Sequence, residues 1–171
     1  LRLTWKPSAQ VTTRSNTSYQ YSNQRGYPYG LYNADKGTTE AVNYNNEGLY
    51  RRNLLTSGIN IRYDGPHISF NSQTSYQYIQ DKMGIDQDFS PRNIFYGQNK
   101  IRQHMYCQEV TGNSVNTSRY HWITGAFVFR QTINRIVYVS SFTDTTRHLT
   151  NSGLPTQGIA FYHQSTLDLL Q

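Results

Sequence analysis

From Val11 onward the chain alternates. Val11, Thr13, Ser15, Thr17, Tyr19 and Tyr21 fall on one parity, and Thr12, Arg14, Asn16, Ser18, Gln20 and Ser22 on the other. A period of two belongs to a strand whose faces meet different media. The same split returns where Ile68, Phe70, Ser72, Thr74, Tyr76 and Tyr78 oppose Ser69, Asn71, Gln73, Ser75 and Gln77. Both stretches close on the pentamer Thr-Ser-Tyr-Gln-Tyr, at residues 17–21 and, 57 residues later, at 74–78. Between them Leu55, Ile59, Ile61 and Tyr63 oppose Thr56, Asn60 and Arg62, and Asp64-Gly65-Pro66 has the composition of a tight turn. Further strands are predicted at 103–111, 119–131 and 158–170, while 135–141 fits either a strand or part of a loop. No stretch carries a helical period. The pattern predicts an all-β, antiparallel meander of about six to eight strands.

The predicted connections alternate in length: short at 6–10, long at 23–50, short at 64–66, long at 81–102, short at 112–118 and long at 132–155. Hairpins that turn tightly on one side and reach far on the other are characteristic of outer-membrane barrels. Aromatic positions agree. Trp5 and Tyr63 precede short turns, whereas Tyr19, Tyr21, Tyr76 and Tyr78 precede long connections, and rings with one polar atom favour a membrane interface. From Val11 to Tyr21 is ten steps, which at about 3.3 Å each and a tilt near 45° spans roughly 23 Å, close to the apolar band of such a barrel. The expected lipid-facing residues are Val11, Ile59, Ile61, Ile68 and Phe70; Arg14, Asn16, Asn71, Gln73 and Gln77 are expected to face a hydrated lumen. Tyrosine-rich alternation also occurs in lectins, adhesins and jelly rolls, so a soluble or surface-attached β-sandwich that binds carbohydrate or protein is the alternative.

Composition narrows the classes. Only 36% of the residues are apolar and 15% charged, with a mean hydropathy of −0.73. Fifteen tyrosines, 7 phenylalanines and 2 tryptophans argue against disorder, which is poor in aromatics. The net charge of +6 raises a nucleic-acid partner, but Arg14, Arg25, Lys36, Arg62 and the pair Arg51-Arg52 form no stripe or tail, so none is expected. The single cysteine, Cys107, excludes an internal disulfide framework. No apolar run reaches the length of a membrane-spanning helix, and Leu1 does not open a signal peptide, so an excerpt of a longer chain or a cytoplasmic protein is expected.

The stretches QRGYPYGLYN, YRRNLLTSGINIRYDG, FNSQTSYQY, DQDFSP, CQEV, WITGAFVF and GIAFYHQST, in this order, span most of the chain. Together they resemble the barrel portion of TonB-dependent outer-membrane receptors, particularly the Bacteroidetes type. Gln108-Glu109-Val110 is similar to the Gln-Glu-aliphatic strand of these barrels. Trp122-x-x-Gly125-x-Phe127 resembles their Trp-x-x-Gly-x-aromatic strand, and Ala160 to Gln164 the start of the next. Thr111-Gly112 departs from the basic-aliphatic pair that usually follows. The resemblance implies that residues 1–171 are one segment of a transmembrane β-barrel, without plug domain or TonB box, an internal excerpt or a degenerate receptor. It implies an outer-membrane location, contact with outer-membrane lipid, and uptake of a scarce nutrient such as an iron chelate, cobalamin or a glycan. TonB would act only through the plug, and open sheet edges would favour self-association.

Candidate chemistry is sparse. His67, His104, His121, His148 and His163 lack metal-ligand spacing and are expected to be solvated or lumen-facing. Cys107 lies on an alternating strand without an oxyanion motif. Neither enzymatic activity nor a cofactor is expected. Asp81, Asp86 and Asp88 do not match a calcium-loop spacing and are expected in an exposed loop. The candidate ligand-binding residues are loop aromatics, Tyr27, Tyr29, Tyr32, Phe89 and Phe95, which can stack on a ligand or pack the loops against their neighbours.

Overall fold

The computed structural model describes residues 1–115, 119–143 and 146–169. Alternation of branched or aromatic residues with polar ones becomes strands β1 (Arg2–Trp5), β2 (Val11–Arg25), β5 (Leu49–Asp64), β6 (Ile68–Asp86), β7 (Phe95–Ser114), β8 (Tyr120–Ser141) and β9 (Thr146–Leu167). All seven form one sheet in the order β1-β2-β5-β6-β7-β8-β9, each antiparallel to its neighbours. A small hairpin, β3 (Tyr32–Asn33) with β4 (Thr38–Thr39), sits inside the first long connection. No helix occurs among the described residues.

The predicted meander is therefore present, but two connections expected to be long are not. Strands β6 and β7 continue to Asp86 and from Phe95, leaving 87–94 as the loop; β8 and β9 run to Ser141 and from Thr146, so most of 132–155 is paired strand. In these reaches polar residues occupy both parities, as in Gln80, Asp81 and Lys82. The contrast that reveals a strand in sequence disappears, while the backbone ladder needs only its own hydrogen bonds. Residues 135–141 are strand. Leu170, predicted to end the last strand, lies outside the described residues, as do residues 116–118 of the short connection expected at 112–118.

The sheet is one layer. Each of its strands contacts only its sheet neighbours, and among the described residues no apolar side chain is buried. The outer strands β1 and β9 do not pair with each other, so the sheet is open.

Candidate functional site

Register converts strand parity into sheet faces. Tyr19, Leu55, Tyr78 and His104 stand directly opposite one another across β2, β5, β6 and β7, and so do Ser15, Ile59, Thr74, Gln108, Val128 and Ile159 from β2 to β9. Directly opposed residues share a face. All five residues expected to face lipid fall on this tyrosine face, and Arg14, Asn16, Asn71, Gln73 and Gln77 all fall on the opposite one. The two pentamers flank β5 on parallel-running strands, two residues out of step, so that Tyr19 and Tyr78 share Leu55 as partner.

The apolar residues of the tyrosine face form a band with two oblique edges. On the loop side the dense apolar surface stops at Tyr21, Leu55, Tyr78, Tyr106, Val128 and Ile159; beyond it Leu49, Tyr96, Ile136, Tyr138 and Leu149 recur on the same face among polar residues. Following the register from Tyr21 across to β9 arrives at Gly153, six residues from Ile159 after five strand-to-strand steps. On the turn side the register carries Trp5 to Phe161, again six residues from Leu167. At about 3.3 Å per residue and 4.8 Å per strand, both edges incline roughly 35–40° to the perpendicular of the strands. Band residues are open to the surroundings: Trp5 is 65% exposed, Ile159 67% and Phe161 76%.

Polar side chains inside the band satisfy one another. The Thr17 and Ser57 hydroxyls lie 3.0 Å apart. Gln108 donates to the Ser72 hydroxyl (2.9 Å) and accepts from the Thr74 hydroxyl. Pairing of this kind offsets the cost of withdrawing hydroxyls and amides from water. At the loop-side edge the Tyr76 and Tyr106 rings pack 4.8 Å apart, and His104 lies 4.9 Å from the Tyr78 ring with Nδ1 3.0 Å from the Tyr76 hydroxyl. His104 thus belongs to the tyrosine face. Cys107 is half-buried on the opposite face, in the row of Asn16 and Ser75.

The loops gather three of the five predicted site residues. Tyr27 and Tyr29 stack with centroids 5.8 Å apart and planes 10° apart, and Phe89 meets Tyr29 edge-on at 5.5 Å. Tyr32 lies in β3, 67% exposed, and Phe95 opens β7, 41% exposed; no ring contact among the described residues joins either to the trio. Partial burial, then the neighbouring Tyr50 and Tyr29, pushes the Tyr27 phenol above its ordinary value, so it is a neutral donor at physiological pH. The Tyr44 hydroxyl donates to the Tyr27 carbonyl (2.8 Å) and fixes the loop.

Two carboxylates that sequence reading left in an exposed loop build the other half. Asp86 is only 2% exposed, because its Oδ1 accepts the Asp88 and Phe89 amides and its Oδ2 the Asn46 amide, each at 3.2 Å. Asp88 accepts the Ser90 hydroxyl (2.6 Å) and amide (3.1 Å) and the Ile94 (3.2 Å) and Phe95 (2.9 Å) amides. Asp81 instead forms a two-point pair with Arg52, at 2.8 and 2.6 Å. Their spacing carried a signal of another kind, since Asp and Ser at alternate loop positions cap their own turns.

Desolvation pushes the Asp88 carboxyl up, but the Ser90, Phe95 and Ile94 hydrogen bonds outweigh it and hold it below the ordinary carboxylate range. A folded-state value below the unfolded one gives stability that is complete above that range and is lost as pH falls through it. Exchange protection of the Ile94 and Phe95 amides should therefore stay level from about pH 7 to 5 and drop only in acid beyond the usual carboxylate pKa. Loss of protection already near neutrality would remove Asp88 from this role.

Comparison with protein-family models, curated proteins and solved structures gives no match. What fold and site define is a class: an open, single-layer antiparallel sheet with an exposed oblique apolar band and an aromatic cluster on the side of its long loop.

Proposed function

We propose that this chain is a stretch of barrel wall from an outer-membrane, TonB-dependent receptor that takes up a scarce nutrient, with the Tyr27, Tyr29 and Phe89 cluster at its outer mouth. The observation that carries this reading is the oblique band. In a barrel the strands tilt about 35–45° from the axis, so a level apolar belt must cross them at that angle. The roughly 35–40° slope of the turn-side edge and of the loop-side limit of the dense apolar surface falls within that tilt range, which supports the reading. An open edge on either side is what one section of a larger wall has. TonB dependence and the nutrient class rest on the sequence resemblance. Energy would come through a plug outside residues 1–171, and the aromatic cluster suits the ring of an iron chelate, cobalamin or the apolar face of a sugar equally.

The alternative is the β-sandwich binding module, for which the Tyr27-Tyr29 stack would be a carbohydrate platform. A sandwich needs a second sheet over the exposed band, and the described residues supply none. Spin labels at Phe70 and at Asn71 in detergent or lipid decide between them. Phe70 should be quenched by a lipid-soluble relaxation agent and Asn71 by a water-soluble one. Equal accessibility of the two would discard the barrel and return the sandwich module.

A further inference from the structure

Loopward of the dense apolar surface, the tyrosine face turns basic, with Leu49, Ile136 and Tyr138 standing among the cations. Arg25, Arg51, Lys82 and Arg102 stand four residues loopward of Tyr21, Leu55, Tyr78 and Tyr106, and Arg130 stands two beyond Val128. Each of β2, β5, β6, β7 and β8 thus contributes at least one cation, β7 adding Lys100 to Arg102, and the cations slope in the same direction as the band. The linear sequence hides this, because the five belong to five strands and only register aligns them.

Three observations give the line a ligand. Arg51, Lys82 and Lys100 are directly opposed on β5, β6 and β7, an arrangement of like charges that destabilises a sheet unless an anion lies among them. None of these side chains forms an ion pair among the described residues, whose salt bridges are Arg52–Asp81, Arg62–Asp64 and His121–Asp168. Finally, a shallow depression of about 510 Å³ opens between Arg51, Lys82, Lys100 and Arg102. The opposite face, by contrast, carries Asp64, Asp81 and Glu109 among its arginines.

We infer that this line binds the phosphate groups of the lipid leaflet surrounding the band. The inference rests on the membrane reading above and deepens it. Four residues along a tilted strand rise about 10 Å, which brings the charged heads to the headgroup zone above the hydrocarbon. By register, neighbouring cations from β2 to β7 lie about 5–8 Å apart, with Arg130 about 14 Å from Arg102, so one phosphate can meet two of the former. Arginine and lysine stems lie along apolar surface while their heads reach the polar layer; the Lys100 ammonium already sits 5.0 Å over the Tyr138 ring.

The test is electron spin resonance of lipids labelled in their acyl chains, with the full chain reconstituted in phosphatidylcholine vesicles. Labelled phosphatidic acid should be immobilised by the protein about fivefold or more over labelled phosphatidylcholine. In the triple variant Arg51→Gln, Lys82→Gln, Arg102→Gln the preference should fall to near one. The control triple Arg2→Gln, Arg14→Gln, Arg62→Gln on the opposite face should keep it, with circular dichroism verifying strand content in each. A preference that survives in the first triple, or is lost equally in the control, overturns the inference while immobilised lipid leaves the membrane reading standing. If no lipid is immobilised, both fall. Competition by millimolar inorganic phosphate would reassign the line to a soluble phosphate compound and overturn the lipid assignment.

Discussion

Replacing Gly125 with valine should weaken the sheet by about 2–4 kcal/mol, the combined scale of an overpacked site and lost hydrogen bonds. Gly125 on β8 stands opposite Tyr162 on β9 and Thr111 on β7. The Tyr162 ring lies across the space where a side chain would be, and a Cβ there would also meet the Val110 carbonyl at 2.7 Å. By crossing β8 the Tyr162 hydroxyl reaches two strands away, donating to Glu109 Oε1 at 2.9 Å and lying 2.7 Å from the Thr111 hydroxyl. Valine would expel the ring and break both contacts. Tyr162→Phe keeps the packing and should cost only about 1 kcal/mol. Denaturant midpoints in one detergent provide the comparison; equal, small losses in both variants would show that the ring bridges nothing.

Asp86→Ala is expected to melt the aromatic loop cluster while leaving the strands intact. One buried carboxylate serves three backbone amides from two loops. It also holds Phe89 at φ 51°, a left-handed conformation that costs a residue with a Cβ about 1–2 kcal/mol. Removing the acceptor should therefore release Phe89 and cost about 2–4 kcal/mol locally, since hydrogen bonds to a charged group contribute about 1.5–3 kcal/mol. Hydrogen exchange should speed up through residues 87–94 and 45–48 but remain slow in β6 and β7 away from the loop. Unchanged exchange at Asp88 and Phe89 would mean that the turn holds itself, and global loss of protection would mean that the cluster is part of the sheet's stability.

The aromatic loop cluster was legible in pieces. The stacked Tyr27 and Tyr29 and the edge-on Phe89 stood out as aromatics in predicted loops, where flat rings either stack on a ligand or pack the loops against their neighbours. Tyr32 and Phe95 looked the same in sequence and lie apart from the trio, since β3 and the start of β7 carry them elsewhere. Asp86 was misread as exposed. Nothing local announces that a carboxylate will be enclosed by amides from a segment forty residues away, such as Asn46.

What the sequence by itself determined is the strand character and the division of each strand into two faces. Alternation is a local property, and Val11, Thr13 and Tyr19 share a side whatever their neighbours do. It also marked Trp5, Tyr63 and the paired Thr-Ser-Tyr-Gln-Tyr segments as ends of apolar stretches. Only the tertiary structure decided the register, and register is what turns separate strand ends into an oblique belt and five scattered cations into one line. It also extended β6 through β9 well past the point where alternation fades. The reason is common to both: ladder hydrogen bonds join backbone to backbone regardless of side chain, so they carry no trace in composition, yet they set which residues stand side by side.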